Sequence, residues 1–317
     1  MTKRDLRIVF MGTPDFALAS LKALIDAGYN IVGVITAPDK PAGRGQKLQQ
    51  SAVKVYAVEK GLEVLQPINL KDEVFLNTLR SLKANLQIVV AFRMLPEAVW
   101  RMPQYGTFNL HASLLPQYRG AAPIHWAIIN GETKTGVTTF FIDEKIDTGA
   151  IIASKSVNIA PDETVGMLHD QLMTLGSQLV LETVELIENN KVQTTIQPAS
   201  AELKTAYKLN KDNCKIDWEA DIDTIYNKIR GLNPFPSAWT TLHNSDEKLD
   251  IKIFDIEKEL TQHQKTIGTV LTNKSNLKIA VKGGYIIIKT IQFPGKKKMD
   301  VQALLNGYKF YDEAFVR

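Results

Sequence analysis

The chain of 317 residues has one cysteine, Cys214, and five histidines. A single thiol excludes an internal disulfide and a cysteine cage for zinc, so no metal centre is expected. Such cysteine usage suits a reducing compartment, and a cytoplasmic location is the expectation. No apolar run approaches the ~20 residues that a bilayer-crossing helix requires, which argues against a membrane partner. The opening MTKRDLRIVF has no long apolar segment or small-residue cleavage site and leads straight into a strand pattern, so a secretory signal is not expected. Glycine-rich nucleotide loops are missing as well. FMGTPDFA follows a first strand but has one glycine where G-x-G-x-x-G needs three, and GRGQK lacks the spacing of a P-loop, so nicotinamide binding is rejected.

What is present is an ordinary globular composition, 44% hydrophobic and 23% charged, in a chain long enough for two domains. The net charge of +4 is unevenly placed. Residues 1–190 sum to −1 and residues 191–317 to +5, and the ten basic residues from Lys265 onward include the run Lys296, Lys297, Lys298. That asymmetry points to a polyanionic partner, or to a basic face kept for solubility.

The first half alternates short runs rich in Val, Ile and Leu (LRIVFM, NIVGVIT, LEVLQ, LQIVVA, TFNLH) with amphipathic stretches near 16–27, 51–60 and 71–83. This is the pattern of a parallel sheet covered by helices on both faces. GVTTFFID and AIIASKSVNI add two strands, and residues 164–190 read as one long helix. Residues 191–206 are polar and aperiodic, a linker. Beyond them, from 207 to 317, one helical stretch precedes short alternating strands with Gly and Asn turns, the texture of a small antiparallel barrel. The fold class expected is α/β, with a doubly wound, mainly parallel sheet over 1–190 and a small antiparallel β-barrel over 207–317.

The most informative stretch is GTFNLHASLLPQYRGAAP, Gly106 to Pro123. Side chains alternate along a strand, so Asn109 and His111 share one face, about 7 Å apart, while Phe108 and Leu110 share the other. They stand at the carboxyl end of a strand, where doubly wound sheets collect ligands. A histidine can move a proton near neutral pH, and an amide can donate to an oxygen that gains charge. IDEKIDTGAII offers three carboxylates to orient the ring, Asp143, Glu144 and Asp147; Asp147 precedes a Thr-Gly turn that can return it over the sheet. Such a group suits attack of an amine on an acyl carbon without a nucleophilic Ser or Cys.

Together with FMGTPDFA, APDKPAGRGQKL and IRGLNPFPSAW, these motifs resemble the methionyl-tRNA formyltransferase family along the whole chain. The resemblance implies that the first domain is Rossmann-like and the C-terminal barrel OB-fold-like, and that Asn109, His111 and Asp147 form the catalytic group. It implies that Ser113, Leu114, Leu115 and Pro116 line a site for 10-formyltetrahydrofolate, and that initiator methionyl-tRNA is the acceptor of the formyl group. AFRMLP departs from the family's A-Y-G-x-I-L-P, being one residue shorter and carrying Arg93 in place of glycine. Lys40, Arg44 and Lys47 lie on the loop after the second strand; by resemblance that loop recognises tRNA, with Arg44 as its key residue. The basic tail, Lys296 to Lys298 included, would meet tRNA phosphates. A monomer is expected. Glycinamide ribonucleotide and sugar-nucleotide formyl transfer, formyltetrahydrofolate hydrolysis, and RNA binding on a dead enzyme scaffold are the rival readings. The first would leave the second domain unexplained, and a dead scaffold has no need of all three polar groups.

Overall fold

A computed structural model of the chain describes residues 4–42, 47–198 and 202–317. They form two compact units. The first comprises residues 1–120, 136–157 and 169–205, and the second residues 121–135, 158–168 and 206–317, each range counted over its described residues.

The first unit is built on a seven-stranded sheet with the order Ile151–Asn158, Lys134–Phe141, Thr107–His111, Leu86–Val90, Ile8–Gly12, Ile31–Ile35, Val64–Leu65. Pairings from Thr107–His111 through to Val64–Leu65 are parallel, and Thr107–His111 pairs antiparallel with Lys134–Phe141. The sheet is therefore mainly parallel, as the pattern predicts. Every residue of Ile8–Gly12 and of Leu86–Val90 is buried, which is why those segments read as unbroken apolar runs rather than alternating ones. Helices Asp15–Asp26, Ala52–Glu59 and Glu73–Ser81 fall where the helical spacing puts them. The last starts where Asp72 accepts a hydrogen bond from the Phe75 N–H at 3.1 Å, and it buries Phe75, Leu76 and Leu79.

Leu110 faces the long helix Val165–Glu188 at Gly176, where an added Cβ would lie 2.8 Å from Leu110 Cδ2. A glycine there lets strand and helix approach closely, and it covers one face of the Thr107–His111 strand. Asn109 and His111 are left on the opposite face.

The second unit contains two antiparallel sheets around one core. One has the order Met299–Asp300, Thr290–Gln292, Glu247–Ile253, Ala238–Asn244, Phe315–Val316, and the other Ile256–Leu260, Gly284–Ile288, Leu277–Val281, Val270–Thr272. The chain runs from one sheet to the other at Phe254–Asp255 and again at Lys289, where the Lys289 N–H donates to the Asp255 carbonyl at 2.8 Å. A bridge between Thr269 and Phe315 joins the remaining edges. Helix Ile222–Arg230 closes the core with Ile222, Ile225 and Ile229. Isoleucine is a middling helix former, but burying each such side chain is worth about 1.5–3 kcal/mol, so packing outweighs propensity.

Residues 121–135, which the sequence pattern groups with the first domain, cluster in the second unit because helix Pro123–Ile129 packs on helix Ile222–Arg230. Residues 158–168 follow because the buried Arg230 guanidinium donates to the carbonyls of Glu163 at 2.9 Å and Ala160 at 3.4 Å. Both contacts join residues far apart in sequence, beyond the reach of periodicity.

Candidate active site

Thr107–His111 places His111 at the last strand position, level with Thr138 of the neighbouring strand. The imidazole is buried, with 6% of the residue exposed. Its Nε2 lies 2.8 Å from the Tyr118 carbonyl, and since a carbonyl only accepts, Nε2 carries the proton. Tyr118 adopts the left-handed region, φ +60°, uncommon for a bulky residue, and this turns its carbonyl onto the ring. Nδ1 is thereby left facing Asp147, 3.7 Å from Oδ2. That separation is long for a hydrogen bond, a common state of catalytic contacts before substrate is bound.

Of the three carboxylates in the IDEKIDTG segment, only Asp147 reaches the histidine. Its Oδ2 accepts the Gly120 N–H at 2.9 Å, and its own φ of +55° is one that Asp tolerates. Asp143 holds the loop from outside, accepting from the Lys145 N–H at 3.0 Å and from the Thr148 hydroxyl at 2.7 Å. Gly149 is required by space: a Cβ there would sit 1.7 Å from the Phe141 carbonyl oxygen. Asn109 is half-buried, and among the described residues nothing hydrogen-bonds its amide. A donor with no internal partner, on the same strand face as His111, is placed to serve a bound ligand.

The SLLP segment contributes less side-chain polarity than its composition suggests. The Ser113 hydroxyl donates to the Gln117 carbonyl at 2.7 Å, and the Ser113 carbonyl accepts from Thr138 Oγ1 at 2.7 Å. Thr138 Oγ1 also accepts from the Leu115 N–H at 3.2 Å. Leu115 is buried, whereas Leu114 and Pro116 keep part of their surface. Arg93, the departure in AFRMLP, donates to the carbonyls of Ile68, at 2.7 Å, and Pro67. A glycine at that position could not tie these two loops together.

Sequence reasoning missed Gln197, which it left within the linker. Its amide nitrogen donates to the carbonyls of Asp147 at 2.9 Å and Gly149 at 2.8 Å, and its Oε1 accepts from Arg119 Nη2 at 2.6 Å and Nε at 3.1 Å. The only signal was local composition, a glutamine in an aperiodic polar segment, and that does not single it out. A cavity of about 540 Å³ opens beside this group, its lining including Trp100, Arg101, Arg119, Asp143, Thr148 and Gln197.

The candidate tRNA contacts are less uniform. Lys40 is exposed at the start of a short hairpin, Lys40–Ala42 with Lys47–Gln49, formed on the loop after the second strand. Arg44 lies outside the described residues. In the second unit Lys296 and Lys297 are exposed and have no ion pair among the described residues, whereas Lys298 pairs with Asp255 at 3.2 Å and lies 4.6 Å from the Phe254 ring centroid. Burial works to raise the Asp255 pKa, but hydrogen bonds from Thr290, Asn233 and Lys298 outweigh it and hold the carboxyl below its ordinary value. Lys298 is thus engaged within its own unit.

The sequence profile described as "Formyl transferase" matches residues 6–184, and that described as "Formyl transferase, C-terminal domain" matches residues 208–309. The methionyl-tRNA formyltransferase of Flavobacterium psychrophilum is 61% identical over 314 residues, covering 99% of both chains, and that of Bacteroides thetaiotaomicron is 54% identical over 98% of both. The chain belongs to the methionyl-tRNA formyltransferase family. Among solved structures, WlaRD, a sugar 3N-formyl transferase determined with dTDP and 5-N-formyl-THF, aligns over 93% of this chain and 100% of its own with a TM-score of 0.64 at 21% identity, a likeness of fold. For this methionyl-tRNA formyltransferase-family chain, Gly149→Ala is expected to act as an overpacking change with no flexible neighbour to yield, costing about 1–3 kcal/mol. Thermal unfolding should report a lowered midpoint, and formyl transfer should fall with it because the displaced turn carries Asp147.

Proposed function

We propose that this chain transfers the formyl group of 10-formyltetrahydrofolate to the α-amino group of methionine on initiator methionyl-tRNA, giving N-formylmethionyl-tRNA. Full-length identity to methionyl-tRNA formyltransferases supports the reaction. The observation that supports the residue roles is the grouping of the Asn109 amide, which has no hydrogen-bond partner among the described residues, the His111 ring anchored through Nε2, and the Asp147 carboxylate. The amine nitrogen attacks the formyl carbon, and a tetrahedral intermediate forms whose oxygen becomes negative. Asn109 and His111 donate hydrogen bonds to that oxygen. The carbon–nitrogen bond to the folate then breaks, and the proton lost by the amine passes to the departing folate nitrogen. Asp147 stabilises the imidazolium and helps carry that proton, through water. The partly exposed Leu114 and Pro116 supply apolar surface for the folate.

The discriminating assay is labelled formyl transfer to initiator and elongator methionyl-tRNA, glycinamide ribonucleotide and a nucleotide sugar. Transfer confined to initiator methionyl-tRNA is expected, and preferential use of a small amine would overturn the reading. The protein acts as a cytoplasmic monomer in this proposal. No helix among the described residues is long and apolar enough to cross a membrane.

The exposed Lys296 and Lys297 are proposed to meet tRNA phosphates. Neutralising both should flatten the log–log salt dependence of tRNA binding by about two units, one ion released per lost contact. Lys298→Ala instead deprives Asp255 of a partner and should lower the unfolding midpoint. An unchanged salt slope in the double variant would return Lys296 and Lys297 to the solvated surface.

A further inference from the structure

We infer that Gln197 is a positioning residue for formyl transfer, acting by clamping the turn that presents Asp147 to His111. The inference rests on the catalytic roles proposed for those two residues. Asp147 is held in the left-handed region in a turn between two strands, and among the described residues its carboxylate has a single backbone anchor, the Gly120 N–H. The Gln197 amide nitrogen bridges the carbonyls on either side of Thr148, those of Asp147 and Gly149. One side chain therefore spans the turn and fixes both its peptide planes.

The other end of the same side chain takes both of its bonds from Arg119, the residue between Tyr118 and Gly120. Tyr118 supplies the carbonyl on His111 Nε2, and Gly120 supplies the N–H on Asp147 Oδ2. Gln197 thus ties the two loops that set the environment of both imidazole nitrogens. Only one orientation of its amide satisfies all four bonds, because guanidinium nitrogens donate and carbonyls accept. Gln197 is itself 8% exposed, and its place is fixed two residues upstream, where Thr195 and Ile151 exchange backbone hydrogen bonds at 2.9 and 2.8 Å. Nothing in this arrangement touches a reacting atom, so its effect must pass through Asp147.

A misplacement of about 1 Å at a reacting group can cost about 10²-fold in rate. Gln197→Ala is accordingly expected to lower the single-turnover rate by about ten- to a hundredfold, with KM for methionyl-tRNA and for the folate changing less than about twofold. The deciding measurement is the double variant. If Gln197 works through Asp147, adding Gln197→Ala to Asp147→Ala should change the rate by less than about twofold, since the turn then positions nothing. A double loss equal to the product of the single losses would overturn the inference, as would a raised KM with unchanged kcat in Gln197→Ala. An unaltered rate in Asp147→Ala alone would instead overturn the catalytic reading and take the inference with it. Should Gln197→Ala fold poorly, Gln197→Glu serves the same cycle: it keeps the acceptor for Arg119 while losing the donors to Asp147 and Gly149.

Discussion

Replacing His111 by alanine is expected to lower the single-turnover rate of formyl transfer by two to three orders of magnitude, and Asn109→Ala and Asp147→Ala should each do the same. The size follows from the chemistry: one preorganised donor to a developing oxyanion is worth about 2.7–4 kcal/mol of barrier, or about 10²–10³ in rate. The Asn109 amide has no hydrogen bond among the described residues to lose, so its removal should leave the unfolding midpoint nearly unchanged. His111 is anchored to Tyr118 through Nε2, and its removal costs that bond as well. Asp147→Asn separates charge from architecture, because its side-chain oxygen can still accept the Gly120 N–H. The neutral amide cannot stabilise an imidazolium, so the rate should fall even with the turn intact. A His111 and Asp147 double variant should lose far less than the product of the two single losses, as residues acting as one unit do. Strictly multiplicative losses would mean that the two act independently, against the mechanism.

The strand that carries Asn109 and His111 is legible because its information is local. Alternation places Phe108 and Leu110 on one face, and the structure seats Leu110 against Gly176 with the polar pair opposite. Asp147 is legible for a similar reason, as the one carboxylate of its segment directly before a Thr-Gly turn. Gln197 is not. It stands 50 residues from Asp147 in sequence, in a segment without periodicity, and only the Ile151–Thr195 pairing brings it to the turn. The same limit applies to side chains whose type is informative but whose partner is remote. Ser113 reads as a ligand contact until Gln117 is seen to take its hydroxyl, and Lys298 reads as a free cation until Asp255 stands beside it. Residue type reports what a side chain can do, whereas the fold decides whether it is already occupied.

Arg44→Ala should reduce formylation of methionyl-tRNA by about two orders of magnitude or more while binding of the folate stays normal. The residue lies outside the described residues, and its flanks on both sides are described. Those flanks form a hairpin with Lys40 opposite Gln49, Pro41 opposite Leu48 and Ala42 opposite Lys47. Its base is fixed independently of the tip: Asp39 pairs with Lys54 at 2.5 Å and accepts from Gln66 at 2.8 Å. The Lys54 contact, then that of Gln66, lowers the Asp39 pKa below its ordinary value. A depressed carboxyl pKa means that this contribution is fully present above the unfolded-state value and is lost as pH falls through the folded one, so the base stays tied at neutral pH. A substitution five residues beyond Asp39 should therefore leave the first unit folded. What it removes is a planar cation able to make two parallel hydrogen bonds to a phosphate, and each such charge-assisted bond is worth about 1.5–3 kcal/mol. Arg44→Lys should already be harmful, because an ammonium is a point charge and cannot reproduce the fork. The two substrates separate the interpretations: with methionyl-tRNA the loss should appear in kcat/KM, and with the folate alone no change in Kd is expected. An equal fall in folate affinity would assign the loop to the folate pocket and overturn its role in recognising tRNA.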